Sequence, residues 1–152
     1  MYIVPAFVGL GAPFWDDKCR GSIFGLTLGV EKDHVVRAAL EAMAYQSKDV
    51  LDAMKEDSGV DVTFMKVDGG AIANKFLLEF QSDILQLPFI RMSTSEITAL
   101  GAASLAGLAV GYWNMEDLKH EEASRIYPSI SKENAEKLYA GWIHAVEACR
   151  KY

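Results

Sequence analysis

The stretch that decides the fold is Val67-Asp68-Gly69-Gly70-Ala71-Ile72-Ala73-Asn74. It follows a segment, residues 62–67, whose valines and phenylalanine predict a strand, and it precedes a helical pattern from Phe76 to Leu85. Glycine has no Cβ and adopts positive φ at little cost, so a glycine pair here lets another molecule approach the backbone. The octet alone equally favours a tight strand-to-helix turn with an asparagine near the helix start.

The helix start after this turn is suited to a phosphate group. The first N–H groups of a helix lack intrahelical partners and carry a partial positive charge, which favours an anion. Asn74 adds an amide that both donates and accepts hydrogen bonds. Gly69, Gly70 and Asn74 are therefore the candidate phosphate-contacting residues.

The flanks of the octet carry a family resemblance. Across residues 65–88 the glycine pair is followed by Asn74, Gln81, Asp83 and Pro88. This order resembles the C-terminal signature of the FGGY carbohydrate kinases. A second block, Glu-Ile-Thr-Ala-Leu-Gly-Ala-Ala at 96–103, is similar to a block downstream in the same family.

Two other blocks resemble the glycerol kinases within this family. They are Gly-Leu-Gly-Ala-Pro-Phe-Trp-Asp at 9–16, with Arg20-Gly21 after it, and Tyr-Ala-Gly-Trp-Ile-His-Ala-Val at 139–146. The resemblance therefore covers nearly the whole chain, with four blocks in register.

The resemblance implies an α/β chain with the actin-like ATPase (ribonuclease H-like) fold, in which the nucleotide lies between two domains. Residues 1–152 would form part of the C-terminal domain. It also implies ATP as the phosphoryl donor, Mg²⁺ as the metal and glycerol as the second substrate. By the same resemblance, Gly101 lies near the nucleotide together with Gly69, Gly70 and Asn74.

The sequence departs from the family in length. The family's phosphate-binding loop, its glycerol-contacting residues, its catalytic aspartate and its Mg²⁺ ligands lie upstream of anything present here. We therefore expect a fragment that is inactive alone, with no catalytic or metal-binding residue of its own. Two alternatives stay open: a non-catalytic binding or assembly module with the same fold, and an FGGY kinase for another polyol or sugar.

Composition excludes some classes of partner. The formal net charge is −6 and no Lys/Arg cluster occurs, so the chain would repel a nucleic-acid backbone. The longest apolar run, 97–110, is shorter than the ~20 residues that a membrane span needs. Cys19 and Cys149 form no motif and are predicted to be reduced thiols in a cytoplasmic protein.

Titratable side chains give no further candidate site. The three histidines, His34, His120 and His144, lack the spacing of metal ligands, so no metal site is predicted. Asp16 and Asp17 are adjacent, and neighbouring side chains usually point apart, which favours a solvated loop over a catalytic carboxylate pair.

Patterning predicts the first half of the chain as a loop over 3–21, a strand over 22–27 and a helix from Asp33, as N-cap, to Asp57, ended by Gly59. Arg37–Glu41 and Lys48–Asp52 are i,i+4 pairs expected on its wet face. The apolar residues of the helix fall on a stripe that we expect to be buried: Val36, Leu40, Met43, Val50 and Met54. Phe7, Phe14 and Trp15 are expected to hold the loop against an apolar surface.

In the second half, residues 88–92 are expected to form an edge strand, and Ser93 to cap a third helix in a capping box with Glu96. Ser131 is expected to cap the last helix. The buried stripe of that helix is predicted to be Leu138, Trp142, Ala145 and Cys149. Because a divided domain leaves strand edges and apolar side chains uncovered, we also expect a homo-oligomer.

Overall fold

The computed structural model describes residues 1–93, 96–118 and 122–151. Strands and helices are interspersed along these ranges, which confirms the predicted α/β class. The strands are β1 Tyr2–Val4, β2 Ser22–Phe24, β3 Met65–Val67, β4 Phe89–Met92 and β5 Glu122–Ile126. The helices are α1 Lys32–Ser58, α2 Lys75–Leu85, α3 Ile97–Ala109 and α4 Lys132–Arg150.

The strands form two small sheets. Strands β1 and β2 pair antiparallel, whereas β4 lies between β3, to which it is parallel, and β5, to which it is antiparallel. The prediction that residues 88–92 form an edge strand is therefore wrong. The sequence Glu-Ala-Ser-Arg-Ile of β5 is too polar to resemble a strand, yet it covers the second edge of β4.

Helix α1 begins and ends at capping residues. Glu31 occupies the N-cap and its N–H donates to His34 Nδ1 at 3.0 Å, so the prediction of Asp33 as N-cap is wrong. Gly59 adopts φ +65° and ends the helix in the left-handed conformation, as predicted.

The apolar stripe of α1 faces away from the core, so the prediction that it is buried is wrong. Met54 is 61% exposed, and Val36, Met43 and Val50 are exposed as well, while Leu40 is half-buried. The face toward the core carries alanines around Tyr45. Small residues there let α1 approach its neighbours closely, which periodicity alone does not reveal. The buried residues of this face are Ala38, Ala42, Ala44, Tyr45, Asp49 and Leu51.

Both predicted ion pairs of α1 form, with nitrogen–oxygen distances of 2.7 Å for Arg37–Glu41 and 2.8 Å for Lys48–Asp52. Glu41 and Lys48 are half-buried, however. The Lys48 ammonium also lies 4.8 Å from the ring centre of Tyr139 on α4. The pairs therefore border the core instead of marking a wet face.

The core lies where α1, α2, α4 and β1 meet. Trp142 of α4 is fully buried and stacks on Tyr45 with ring centres 5.5 Å apart. The Tyr45 ring also meets the edge of Phe80 from α2, at 5.6 Å. At the other end of α4, Ser131 Oγ accepts the Asn134 N–H at 3.3 Å, which confirms the predicted cap.

The predicted buried stripe of α4 is correct except at one position. Trp142, Ala145 and Cys149 are buried, but Leu138 is exposed. The Leu138 carbonyl instead accepts the hydroxyl of Tyr2 at 3.0 Å, so this turn of α4 contacts β1 through its backbone.

The loop between β1 and β2 is held by residues other than those predicted. Phe7 and Trp15 are 81% and 80% exposed, so their predicted anchoring role is wrong. Phe14 does pack against the core. The buried side chains of the loop are the smaller ones, namely Ala6, Leu10 and Cys19.

Helix α3 begins at Ile97 with Glu96 in the N-cap position, so Ser93 does not cap it. Residues 94 and 95 of the predicted capping box lie outside the described residues. The glycine at 107 has a packing reason, because a Cβ there would collide with the indole of Trp113. That indole donates to the carbonyl of Ser104 at 2.8 Å and so fixes the C-terminal half of α3.

Candidate functional site

The glycine turn lies between β3 and α2, as predicted, but a short 3₁₀ helix, Gly70–Ala73, separates the two elements. Gly69 caps this helix with φ +85°, a conformation that side-chain-bearing residues rarely adopt. Its carbonyl accepts the Ile72 N–H at 3.2 Å, and the Ile72 side chain is buried. The turn is thus anchored from one side and leaves its glycines at the surface.

Space around the glycines is open. A Cβ at Gly69, Gly70 or Gly101 would meet no atom within 4 Å. Gly69 needs to be glycine because of its φ, but Gly70 has neither a positive φ nor a close neighbour. Nothing in the described part of the chain therefore requires glycine at position 70, and a ligand that approaches the backbone would give a reason for it.

Asn74 is the N-cap of α2. Its Oδ1 accepts the Leu77 N–H at 3.1 Å, which satisfies one of the free donors at the start of the helix. The Oδ1 atom of Asn74 thus has a structural role, as expected for a tight strand-to-helix turn with an asparagine at the helix start. The NH₂ group of the same amide takes no part in the cap and can donate to a ligand at the turn.

Three of the four candidate residues lie in one continuous segment, 69–74. Gly101 lies on a separate element, in the second turn of α3. Its proximity to the nucleotide stays a prediction.

A cleft of about 560 Å³ opens elsewhere on α2, and its lining includes none of the four candidates. The glycine turn is therefore an open surface that lies outside this cleft. The residues that line the cleft are Arg37, Phe76, Glu79, Phe80, Asp83, Arg125, Ile126, Tyr127, Ser129, Ile130 and Leu138.

Asp83, which belongs to the sequence signature, makes hydrogen bonds that stabilise the fold. Its carboxylate accepts the hydroxyl of Ser129 at 3.0 Å and the backbone N–H of Ile130 at 3.2 Å. It thereby joins the C-terminal half of α2 to the segment that leads into α4. The sequence marks Asp83 only through the family pattern, because its partners are 46 and 47 positions away.

Asp49 carries a second buried carboxylate, which the sequence pattern did not identify. Asp49 of α1 accepts the Tyr139 hydroxyl at 2.6 Å and the Trp142 indole N–H at 2.9 Å. Burial raises the pKa of Asp49 above its ordinary value, although these two hydrogen bonds act in the opposite direction. Burial and the neighbouring Asp49 carboxylate likewise raise the pKa of Tyr139. The group lies in the core and holds α1 to α4.

Asp16 also has a structural role. Its carboxylate accepts the backbone N–H groups of Lys18 and Cys19, both at 3.1 Å, and pairs with Arg150 at 3.2 Å. The bond from Arg150 is the main reason that the pKa of Asp16 lies below its ordinary value. The carboxylate thus closes a turn and contacts α4.

Among the described residues, no group of three or more His, Cys, Asp or Glu side chains is placed to hold a metal ion. His34 caps α1, His144 is exposed on α4, and His120 lies outside the described residues. None of the helices within the described ranges is both long and apolar enough to cross a membrane.

The amino-acid sequence is similar to those of known proteins. Residues 1–110 match the profile of the FGGY family of carbohydrate kinases, C-terminal domain. The glycerol kinase of Shewanella oneidensis is 56% identical over 153 aligned positions, which cover 99% of this chain and 31% of the relative. The glycerol kinase of Aeromonas salmonicida is 53% identical over 155 positions, which cover all of this chain and 31% of the relative. The chain thus spans about a third of the length of these relatives.

Solved structures agree with the sequence comparisons. The glycerol kinase of Plasmodium falciparum, crystallised with ADP, matches with a TM-score of 0.89 and 35% identity over 97% of this chain and 30% of that chain. The gluconate kinase of Lactobacillus acidophilus matches with a TM-score of 0.80 over 98% of this chain and 31% of that chain, and at 22% identity it shows the fold alone. The architecture is consistent with the predicted actin-like ATPase fold. With the glycine turn, the Asn74 cap and the α/β frame in place, the match over 1–110 shows that the chain belongs to the FGGY family of carbohydrate kinases, in the region of its C-terminal domain.

Proposed function

We propose that this chain forms the nucleotide-facing wall of an ATP-dependent glycerol kinase, which converts ATP and glycerol to ADP and glycerol 3-phosphate. The observation that carries the proposal is the similarity to glycerol kinases at 53–56% identity along the whole chain. The xylulose and gluconate kinases among the solved structures are 20–25% identical and support the fold without favouring their substrates.

In this proposal, Gly69 and Gly70 let the nucleotide approach the backbone, and the Asn74 NH₂ group donates to it. The open space at both glycines supports this role, as does the use of only Asn74 Oδ1 in the helix cap. Gly101 would line the same nucleotide from α3. A bound phosphate would also gain from the positive end of α2.

The reacting groups would come from other parts of a full-length kinase. Phosphoryl transfer depends mainly on positioning and on electrostatic stabilisation, so one wall of the site contributes binding without supplying the base. Within the part of the chain that the structure describes, no group of three or more His, Cys, Asp or Glu side chains is placed to hold a metal ion, and we assign no step to Mg²⁺ here. By family resemblance, its ligands, the catalytic aspartate and the glycerol contacts belong to the region that precedes this one in longer members.

We further propose that the protein acts in the cytoplasm and forms a homo-oligomer. The exposed Phe7 and Trp15 and the outward apolar stripe of α1 support self-association, because large apolar patches on soluble proteins tend to be buried in interfaces. The net charge of −6 argues against a nucleic-acid partner.

A chimeric enzyme tests the catalytic proposal. In it, residues 1–152 replace the matching third of the Shewanella oneidensis glycerol kinase, and a coupled assay follows ADP release with and without glycerol. We expect glycerol-dependent turnover, since the replaced region is 56% identical. A chimera that melts cooperatively like the parent enzyme but releases no ADP would contradict the proposal and favour a non-catalytic module.

A further inference from the structure

The two cysteines of the chain meet in space although 130 positions separate them. Cys19 lies in the loop before β2, Cys149 lies in the last turn of α4, and their Sγ atoms are 2.7 Å apart. Both residues are buried, and both thiols are free. Sequence spacing gave no sign of this pair.

Contacts on both sides hold the thiols in place. The Asp16–Arg150 ion pair, at 3.2 Å, joins the same loop to the same helix end, and the Arg150 guanidinium lies 5.8 Å from the ring centre of Phe14. The Cys149 thiol donates to the Arg20 carbonyl at 2.9 Å. The sulfur atoms therefore meet within a set of contacts that keeps loop and helix together.

We propose that Cys19 and Cys149 are a modification site at which a hydroperoxide forms an intramolecular disulfide that clamps the 16–20 loop to α4. One thiol loses its proton, and the thiolate attacks the terminal oxygen of the peroxide. The O–O bond breaks, the cysteine becomes a sulfenic acid, and the departing alkoxide or hydroxide takes up the proton and leaves as an alcohol or water. The second thiol then attacks the sulfenic sulfur, so that the S–S bond forms and water is released. Two thiols are oxidised by two electrons, and one hydroperoxide is reduced.

The reaction is slow while the last turn of α4 is folded over the two thiols. Burial and the adjacent Cys149 thiol raise the pKa of Cys19 to about 11, and the thiolate is the reactive form. The oxidant must also reach the sulfur atoms when the last turn of α4 opens, and helix ends open more readily than helix centres. Since the two sulfurs already touch, the second step follows the first without a large movement and outruns further oxidation.

The competing explanation is that two small thiols simply fill a gap in the core. That explanation predicts inert cysteines, which are alkylated only after unfolding and give no cross-link. The chemistry of the thiols, measured in the native chain, separates the two explanations without any assumption about kinase activity.

The experiment treats the reduced, folded chain with hydrogen peroxide, quenches it with N-ethylmaleimide in denaturant and maps the peptides by mass spectrometry. We expect a Cys19–Cys149 cross-linked peptide, the loss of both free thiols and recovery of both with dithiothreitol. The oxidised chain should melt about 5–10 °C higher than the reduced chain, because the cross-link closes a long loop in the unfolded state.

The matched controls are Cys19→Ser and Cys149→Ser, each of which leaves one thiol. Neither variant should give the cross-linked peptide or a peroxide-induced rise in melting temperature. Should a variant fail to fold, the peptide map of the wild-type chain still decides. Two thiols that stay fully alkylatable after peroxide, stable sulfinic acid at either cysteine, or disulfides only between chains would each overturn the proposal.

Discussion

The indole N–H of Trp142 donates a 2.9 Å hydrogen bond to the carboxylate of Asp49, and this contact joins α4 to α1 inside the core. Both residues are buried, so neither partner can turn to water if the other is removed. The Tyr139 hydroxyl occupies the other carboxylate oxygen. Asp49 thus depends on two donors of a single helix.

Replacing Trp142 with phenylalanine should lower the free energy of unfolding by about 1–3 kcal/mol from the lost donor, with a further loss from the smaller ring. Chemical denaturation followed by circular dichroism measures the change. Tyr139→Phe is a second test of the network, since it removes the other donor with little change in volume and should also lower the free energy of unfolding. A change within about 0.5 kcal/mol for both variants, the usual range for surface positions, would show that the network does not stabilise the core.

Stability should also depend on pH through Asp49. Because burial raises its folded-state pKa above the unfolded value, the folded state binds the proton more tightly, and unfolding free energy falls as pH rises through that window. The wild type should lose stability relative to Asp49→Asn from about pH 4 upward, with the difference becoming constant above the folded pKa. Melting curves of both proteins across this range measure it. A wild-type advantage that grows with pH would reverse the sign and contradict the assignment.

The sequence predicted the elements better than the side that each one buries. The glycine turn, α2, the Gly59 end of α1 and the Ser131 cap all follow from local chemistry, and all are present. The burial of α1 did not follow, because Ala38 and Ala42 carry too little hydrophobicity to mark a core face. Contacts between distant residues, such as Asp83–Ser129, leave no trace in local spacing.

For the candidate site, too, the sequence predicted local positions better than contacts. Gly69, Gly70 and Asn74 lie in one turn as the pattern indicates. The capping role of Asn74 follows from its residue type, yet which amide atom it uses follows only from the hydrogen bond to Leu77. The relation of Gly101 to this turn depends on how α3 packs, which small residues along a helix do not specify.

In the chimeric enzyme, Gly70→Val should weaken binding of ATP or ADP while the fold stays intact. The added methyl groups enter open space that the nucleotide would occupy, since a Cβ there meets no atom within 4 Å. Isothermal titration calorimetry measures the affinity. Gly111→Val is an unsuitable control, because Gly111 has a φ of +71°, which a valine rarely adopts. Gly29→Val is the matched control, because Gly29 is exposed, has no positive φ, and a Cβ there would meet only the Thr27 hydroxyl at 4.0 Å. Unchanged affinity in Gly70→Val would remove the glycine turn from the nucleotide site.

Asn74 needs a substitution that separates cap from ligand. Asn74→Ala should cost about 1 kcal/mol of stability through the lost cap, in addition to any lost ligand contact. Asn74→Ser keeps a capping oxygen and replaces the NH₂ group with a shorter hydroxyl, which reaches less far toward a ligand. We expect Asn74→Ser in the chimera to keep the parent melting temperature and to bind nucleotide more weakly. Equal affinity in Asn74→Ser and the parent would leave Asn74 with the structural role alone.

We expect the chain alone to transfer no phosphate from ATP to glycerol, because family resemblance assigns the base and the metal-binding carboxylates to the region that precedes this one in longer members of the family. A coupled ADP-release assay on the purified chain checks this expectation. Glycerol-dependent turnover that survives repurification and disappears in Gly70→Val would contradict it.

The isolated chain should also associate with itself. The outward stripe of α1 offers apolar side chains that favour an interface. Sedimentation velocity over a range of concentrations should show a dimer or larger species, and Val50→Lys should shift it toward monomer. Glu56→Lys, on the same helix but outside the stripe, is the control. A single monomer at high micromolar concentration would contradict the expectation.

The contact between Tyr2 and Leu138 has a consequence for the order of folding. The core joins β1 to α4 across 136 positions, and Trp142, which fills its centre, belongs to the last of the described helices. Contacts between residues so far apart form slowly, because a long loop must close before they contribute. During synthesis, β1 and α1 therefore emerge well before α4 can complete the core, and we expect their core-facing surfaces to stay exposed until then.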